Sequence, residues 1–247
     1  MAQPSPSPLE FRSPGESSPD LGRVRADLDY IRQTLEQAGT FSAVSGAGVA
    51  LAGMIGCIAS GLSWWRLEQS YGPGAWRAAA AAGPWRPEYA GAMLVIWVAA
   101  VALAAPLALW ALYRKGRKWR LPLRRGPTGR ALRSMAPGWL AAALLTLALA
   151  IHGATQWLPG AWLLLAGLAL LSAATFSTPP VRWLGRGQAV LGVVAFFLPS
   201  PAVTLACLAL GFGVLHLAAG LWIARAARLS LEDAPAAAGR ASAGRAR

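Results

Sequence analysis

The longest uncharged stretch of this chain sets the first limit on its fold. The 48 residues from 134 to 181 contain no Lys, Arg, Asp or Glu, and no carboxylate occurs between Glu88 and Glu232. A helix that crosses a bilayer needs about 20 apolar residues, so this stretch holds two crossings and a turn. Backbone groups in hydrocarbon must bond to one another, which favours helices. The stretch therefore predicts an all-α membrane protein.

The rest of the chain extends this prediction to a polytopic bundle. Hydrophobic residues make up 55% of the 247 residues and charged residues 13%, whereas soluble domains are about 25% charged. Within a domain at 39–225, the apolar runs predict six transmembrane helices, at 41–62, 90–112, 138–157, 160–178, 183–198 and 202–224. We expect tight connections at Leu158-Pro159-Gly160 and at Leu198-Pro199-Ser200-Pro201.

The predicted helix at 183–198 is the shortest of the six. Its uncharged part, Gly187 to Leu198, gives only about 18 Å of helix, although the long side chain of Arg186 extends it by reaching toward the surface. If this segment only dipped into the bilayer, the last helix would carry the C-terminal arginines outward. The positive-inside rule opposes that arrangement, so six crossings are expected.

The Lys and Arg residues also orient the predicted bundle. With both termini in the cytoplasm, 20 of the 23 cations lie in cytoplasmic segments, and only Arg66, Arg77 and Arg86 lie in the outer loop at 63–89. Cation-rich loops stay on the cytoplasmic side, and the polar first 20 residues lack the pattern of a cleavable signal peptide. The predicted location is the bacterial inner membrane, with multiple crossings.

Three segments flank or interrupt the predicted crossings. Residues 1–19 are rich in Pro and Ser and predict a disordered tail, as do the basic residues at 226–247. Residues 20–38 place apolar side chains three and four positions apart, which predicts an amphipathic helix at the membrane or on the bundle, with a dimer contact as the alternative. The alanine-rich stretch Ala75–Ala82 predicts a short helix in the outer loop.

A strongly basic segment follows the second predicted helix. Residues 114–133 hold nine cations and no acid. Such a segment can bind anionic lipid headgroups, contact an acidic partner, or only fix the topology. The net charge of +13 is accounted for by orientation, so no nucleic-acid partner is expected. The candidate lipid contacts are Arg114, Lys115, Arg117, Lys118, Arg120, Arg124 and Arg125.

Two histidines lie within the predicted helices. His216 is deep in the last helix and His152 lies nearer the outer end of the third. Polar groups inside a bilayer are costly and often functional, so the two are candidates for an intramembrane polar site; the alternative for each is a hydrogen bond to a neighbouring helix. They differ in depth by roughly 13 Å, too far for shared ligation without strong helix tilt. Cys57 and Cys207 lack metal-ligand spacing, so neither a metal nor a cofactor is predicted.

Small residues mark candidate helix-packing faces. In the first helix they recur every four positions, which lets another helix approach closely: Gly48, Ala52, Gly56 and Ser60. In the last helix they recur every seven: Ala206, Gly213 and Gly220. The partner of the first stripe is either a helix of the same chain or a second copy, so a homo-oligomer or another membrane partner stays open.

One stretch resembles a known group of proteins. Leu28–Glu36 (LDYIRQTLE) and Thr40–Gly46 (TFSAVSG) are similar to the opening of an uncharacterised family of bacterial multi-pass inner-membrane proteins. The likeness continues through Leu158–Leu165 and Gly213–His216, and it implies a membrane bundle without naming an activity. The last hairpin, around Pro199, is similar to repeats of the acid-resistance membrane protein family HdeD.

No catalytic residues are predicted, because the sequence offers no nucleophile with a base, no metal cluster and no phosphate-binding loop. The first hypothesis is therefore a non-enzymatic structural, regulatory or stress-related bundle that acts through partner or lipid contacts. The second is a transporter or channel for a small molecule that is not coupled through intramembrane carboxylates. The second requires a polar-lined cavity around His216, Thr146, Thr175 and Thr204.

Overall fold

The computed structural model describes residue 22 and residues 45–80, 85–118 and 127–229. The chain divides into two units, Met1–Gly39 and Thr40–Arg247. Gly22 is the described residue of the first unit, and all the helices given below belong to the second. The predicted tail at 1–19, nearly all of the amphipathic helix at 20–38 and the tail beyond Leu229 lie outside the described residues.

The described part of the chain is helical and contains no strand, so the all-α prediction is confirmed. The long helices are α1 (Gly46–Tyr71), α3 (Pro87–Lys118), α4 (Pro127–Ile151), α5 (Leu158–Ala173), α6 (Pro179–Phe197) and α7 (Pro201–Leu229), and α2 (Ala75–Ala80) is the short helix of the predicted outer loop. Five of the six long helices, all but α6, are apolar and long enough to cross a membrane.

Local sequence explains where several helices begin and end. The side chains of Ser45 and Ser200 accept backbone N–H bonds three residues further on, at the starts of α1 and α7. Such caps satisfy donors that a helix leaves open. Gly72, with a φ of 81°, ends α1 in the left-handed region that glycine adopts without strain.

The connection between α4 and α5 lies earlier than the sequence suggested. α4 ends at Ile151, and Gly153, with a φ of 67°, turns the chain. Pro159 and Gly160 lie inside α5 instead. Proline suits the first helical turn because its missing N–H would have no partner there, and Gly160 allows the backbone of Phe196 to approach.

α1 and α7 pack against each other in opposite directions. Gly46 at the start of α1 faces Ala224 near the end of α7, and Gly53 faces Leu217. Added Cβ atoms on these two glycines would lie 2.8 and 2.6 Å from backbone nitrogens of α7. The backbones therefore approach more closely than any larger side chain would allow.

α5 and α6 form a second close antiparallel pair. Gly160 faces Phe196, and Gly192 faces Leu164, where an added Cβ would lie 2.5 Å from the backbone nitrogen. Glycines seven residues apart line both close pairs: Gly46 and Gly53, Gly160 and Gly167, Gly185 and Gly192, and Gly213 and Gly220. A seven-residue repeat keeps one face of a helix toward its partner, as in left-handed coiled packing.

α3 and α4 lie at the two ends of the packing order. α3 packs on α1, where Gly48 faces Ala108, and α4 packs on α5, where Gly138 faces Ala169. α6 and α7 also contact each other, since Gly187 faces Leu215. The order of neighbours is therefore α3, α1, α7, α6, α5 and α4.

The six long helices run alternately between two ends of the bundle, because each is antiparallel to the neighbours just described. The end that contains Gly46, Lys118, Pro127, Ala173, Pro179 and Leu229 is called the basic end below. The end that contains Tyr71, Pro87, Ile151, Leu158, Phe197 and Pro201 is called the loop end. At the loop end, the indole N–H of Trp85 donates to the carbonyl oxygen of Pro199 over 2.6 Å.

Candidate functional site

The predicted site residue His216 follows an unusual segment of α7. Residues Ala209–Leu215 are wound as a π-helix, a form that is rare and often found at functional sites. The His216 Nδ1 atom lies 2.9 Å from the carbonyl oxygen of Gly211. A carbonyl oxygen can only accept, so Nδ1 is the donor and Nε2 is the acceptor of the neutral ring. The ring also stacks on Phe212, with 5.8 Å between ring centroids.

The structure does not bring the two histidines together. His152 is exposed and lies in the turn that follows α4, at the loop end. His216 adjoins Leu217, which packs on Gly53. Gly53 is seven residues into α1, about 10 Å from the basic end. The two imidazoles therefore belong to different depths and cannot share a ligand.

The predicted threonines do not form a common cavity with His216. Thr146 accepts the indole N–H of Trp162 over 2.7 Å. Thr204, which is fully buried, donates to the carbonyl oxygen of Ser200 in the first turn of α7, at the loop end, and Thr175 lies near the basic end, exposed and bonded within its own turn. Each hydroxyl therefore has a hydrogen-bond partner, and Thr146 and Thr204 lie toward the loop end whereas Thr175 lies near the basic end.

Sequence reasoning missed Gln188, which is the most unusual polar side chain of the bundle. It is 0% exposed, and neither its amide nitrogen nor its amide oxygen has a hydrogen-bond partner among the described residues. Burying an amide without partners costs about 1–3 kcal/mol. The available signal was that only Gln156 and Gln188 are amide side chains within the predicted crossings.

Gln188 lies at the depth of the π-helical segment. Its neighbour Gly187 faces Leu215, and Leu191, one turn further along α6, contacts Gly211. The unpartnered amide and the acceptor nitrogen of His216 therefore occupy the same level of the bundle on adjoining helices.

A contrasting polar pair joins α1 to α3. The indole N–H of Trp97 donates to the hydroxyl of Ser63 over 3.1 Å, and both side chains are buried. Such a bond between helices satisfies two polar groups in an apolar surrounding. It ties the edge helix α3 to the centre of the bundle.

The predicted packing stripe of α1 is divided between two neighbours in the same chain. Gly48 faces Ala108 and Ala111 of α3, whereas Gly56 faces the backbone of Phe212 in α7. Ser60 donates its hydroxyl hydrogen to the Gly56 carbonyl over 2.7 Å. Ala52, between these contacts, is half-buried.

The predicted lipid contacts begin at the end of α3. The guanidinium of Arg114 lies 4.8 Å from the ring of Trp110, that of Arg117 lies 6.0 Å from the ring of Tyr113, and both arginines are exposed. Lys115 is half-buried and Lys118 ends the helix. The remaining predicted contacts lie outside the described residues: Arg120, Arg124 and Arg125.

The charges of the two ends differ sharply. Among the described residues, ten cations and no acid lie near the basic end: Arg114, Lys115, Arg117, Lys118, Arg130, Arg133, Arg182, Arg186, Arg225 and Arg228. Three arginines and two glutamates lie near the loop end: Arg66, Arg77, Arg86, Glu68 and Glu88.

Arg186 reaches toward the basic end, since its guanidinium lies 5.2 Å from the ring of Trp183 one turn earlier. Helical side chains lean toward the N-terminus in this way.

A cavity of about 710 Å³ lies at the loop end, where three connections meet. It is lined by Trp85, Pro87, Ala90, Gly91, Gly153, Thr155, Gln156, Trp157 and Pro199. No charged side chain is among these residues, so the cavity offers two indoles, a hydroxyl and an amide.

No three His, Cys, Asp or Glu side chains come together as a metal site within the described ranges. The family resemblance of Leu28–Gly46 stays a prediction. Comparison of the chain with protein-family models, with curated proteins and with solved structures finds no match in any of the three.

Proposed function

We propose that the chain is a six-crossing protein of the bacterial inner membrane with its basic end in the cytoplasm. Support comes from the direction of α1 and α7. Because these helices are antiparallel neighbours, the number of crossings between them must be even, and this requires α6 to cross as well. Its 19 residues span about 28 Å, close to the thickness of the hydrocarbon core.

The separation of charge is the observation that carries this orientation. Ten described cations lie near the basic end and three near the loop end. Cytoplasmic segments carry the excess of Lys and Arg in inner-membrane proteins. With this orientation, the start of α1 at Gly46 and the end of α7 at Leu229 face the cytoplasm.

The activity proposed for this bundle is non-enzymatic. It acts as a structural, regulatory or stress-related membrane component through contacts of its basic end with anionic lipids or with a membrane partner. Support comes from the hydrogen bonds that its threonines already make and from the ring of His216, which is bonded to a carbonyl oxygen of its own helix. These polar groups serve packing rather than a shared reaction centre.

A transporter or channel for a small molecule is the second candidate function. The observation in its favour is the level shared by Gln188, which has no partner among the described residues, and by the acceptor nitrogen of His216. Polar side chains at one depth can bind a substrate at one position along a pathway across the membrane.

Cysteine labelling tests the topology. In a Cys57→Ala and Cys207→Ala background, Gly74→Cys and Leu198→Cys should react with a membrane-impermeant maleimide on intact cells. Arg228→Cys should react only after lysis. Labelling of Arg228→Cys from outside would overturn the orientation, and failure of Leu198→Cys to react in intact cells would show that α6 does not cross.

Substitution of His216 separates the two candidate functions. If His216 serves packing, we expect His216→Gln to lower the thermal stability of the protein in detergent. Any growth defect of a strain that depends on the gene should then accompany this loss of stability. A variant that keeps its stability but loses the phenotype would place the transporter first.

A further inference from the structure

The cavity at the loop end lies between connections that are far apart in the chain. Trp85 belongs to the connection before α3, Gly153 and Trp157 to the connection between α4 and α5, and Pro199 to the connection between α6 and α7. Its volume of about 710 Å³ falls within the range of roughly 300–1,000 Å³ that small-molecule sites occupy. The cavity is therefore large enough for a small ligand.

The two indole walls of this cavity are held in place by neighbouring groups. Trp85 is buried, its indole N–H donates to the carbonyl oxygen of Pro199 over 2.6 Å, and its ring centroid lies 5.3 Å from that of Tyr89. The ring centroid of Trp157 lies 5.2 Å from that of Phe196. A ligand would therefore meet walls that are already ordered, which lowers the entropy cost of binding.

The connection between α4 and α5 supplies polar groups that the protein leaves unused. Thr155, Gln156 and Trp157 form one turn of 3-10 helix, and all three are half-buried. The hydroxyl of Thr155, the amide of Gln156 and the indole N–H of Trp157 make no hydrogen bond to another described residue. These groups are therefore available to a ligand in the cavity.

The lining restricts the chemistry of that ligand. None of the nine lining residues is charged, and Arg86, which follows Trp85, places its guanidinium against the ring of Tyr71 at the end of α1. An ion would have no opposite charge among the lining side chains. A fully apolar ligand would shield the amide and the hydroxyl from water without replacing their hydrogen bonds, which is costly. The lining thus favours a neutral molecule that has both an apolar face and hydroxyl groups.

We propose that the loop-end cavity binds the ring of a neutral sugar. The C–H face of the ring lies on the indoles of Trp85 and Trp157, which offer large apolar surfaces. Its hydroxyls bond to Thr155 and to the amide of Gln156, which can donate and accept at once, as a sugar hydroxyl does. Such a site goes beyond the proposed function, and only its position on the outer side of the membrane rests on that function.

Saturation-transfer NMR of the full chain in lipid nanodiscs tests the proposal, because nanodiscs contain no sugar-headed detergent. The probes are methyl β-glucoside and choline, since indole rings also attract quaternary ammonium ions. We expect saturation transfer to the glucoside above the level given by empty nanodiscs, and less transfer to choline. Transfer equal to that of empty nanodiscs, or stronger transfer to choline than to the glucoside, would overturn the proposal.

Gln156→Leu is the first variant, because it removes the amide without breaking a bond to a described residue. Loss of two hydrogen bonds to the sugar should weaken glucoside binding about tenfold. The matched control is Gln69→Leu, an exposed amide of α1 at the same end that does not line the cavity. Its affinity should stay within about twofold of the parent chain, and equal affinities of the two variants would contradict the proposal.

Trp157→Leu removes one indole wall and should also weaken glucoside binding about tenfold. Its matched control is Trp65→Leu, an exposed indole of α1 at the loop end. Trp157 contacts Phe196, so a thermal melt accompanies this pair, and Gln156→Leu decides the matter if Trp157→Leu unfolds. Nanodiscs expose both ends of the bundle to the probes. The sugar site can therefore fail while the topology stands, and the reverse.

Discussion

The close pairs α1/α7 and α5/α6 differ from the edge helices α3 and α4 in one property, the distance between backbones. In the close pairs, glycines seven residues apart admit the neighbouring backbone. In α3, Gly91 faces open space, and in α4 an added Cβ on Gly138 would first meet the side chain of Ala169. The edge helices approach their neighbours at single glycines, at Gly48 of α1 for α3 and at Gly138 for α4, rather than at glycines repeated every seven residues.

This difference in backbone approach indicates which contacts hold a helix inside the bundle. Lipid chains are as apolar as leucine, so burying an apolar side chain against another helix gains little by itself. Close backbone contact adds dispersion contacts that lipid cannot match. In their most apolar stretches, 39–44% of the residues of α1, α5 and α7 are buried, against 11% in α3 and 0% in α4.

Gly56→Leu should give the largest loss of stability among the substitutions at the packing glycines. An added Cβ at Gly56 would meet the backbone of Phe212 on α7, which cannot move as a flexible side chain can. Overpacking a tight core costs about 1–3 kcal/mol, and a rigid neighbour places this variant at the upper end of that range. Reversible unfolding in mixed detergent measures the change.

Gly61→Leu is the matched control on the same helix. Gly61 meets nothing within 4 Å, and leucine favours helix over glycine by several tenths of a kcal/mol. We expect this variant to be as stable as the parent chain or slightly more stable. Equal destabilisation by the two substitutions would remove the argument that close approach distinguishes the pairs.

Gln188→Leu should increase stability by about 1–2 kcal/mol. The amide of Gln188 has no partner among the described residues, so an apolar side chain of similar size removes a desolvation cost without breaking a bond. The change is measured in the same unfolding assay. A loss of stability would show instead that the amide binds a water molecule or a ligand within the pair α6/α7, which would favour the transporter.

Ser63→Ala should change the free energy of unfolding in the opposite direction from Gln188→Leu in the same assay. The hydroxyl of Ser63 accepts the indole N–H of Trp97, and removing one partner of a buried bond leaves the other unsatisfied, at about 1–3 kcal/mol. We therefore expect destabilisation here and stabilisation at Gln188. The two results together separate a satisfied polar group from an unsatisfied one.

The sequence predicted the helical class from charge alone, because a long uncharged run such as 134–181 has few other solutions in a folded chain. It misplaced the α4/α5 connection because Pro159 and Gly160 read as a turn. Both residues also suit the start of a closely packed helix. A local signal of this kind cannot be resolved without knowing that Phe196 lies opposite Gly160.

The candidate site was harder to predict than the fold. His216 could be recognised as a polar residue in an apolar run, but the π-helical turn that holds its ring depends on packing around Gly211 and Gly213. Gln188 falls within the uncharged run Gly187–Leu198 that predicts the fifth crossing, and its amide was not considered as a site. Its burial follows from contacts of α6 with α5 and α7, which periodicity does not reveal.

Leu140→Ala should have the smallest effect and gives the sharpest test of the edge helices. Leu140 on α4 is 62% exposed, so its side chain meets lipid in the folded state and in an unfolded state that stays in the membrane, and the substitution should change stability by less than about 0.5 kcal/mol. Leu163→Ala on α5 is the matched control, because Leu163 is 0% exposed and fills the space beside Gly211. Its loss leaves a cavity and should cost about 2–5 kcal/mol. A cost at Leu140 comparable to that at Leu163 would mean that another protein surface, rather than lipid, covers α4.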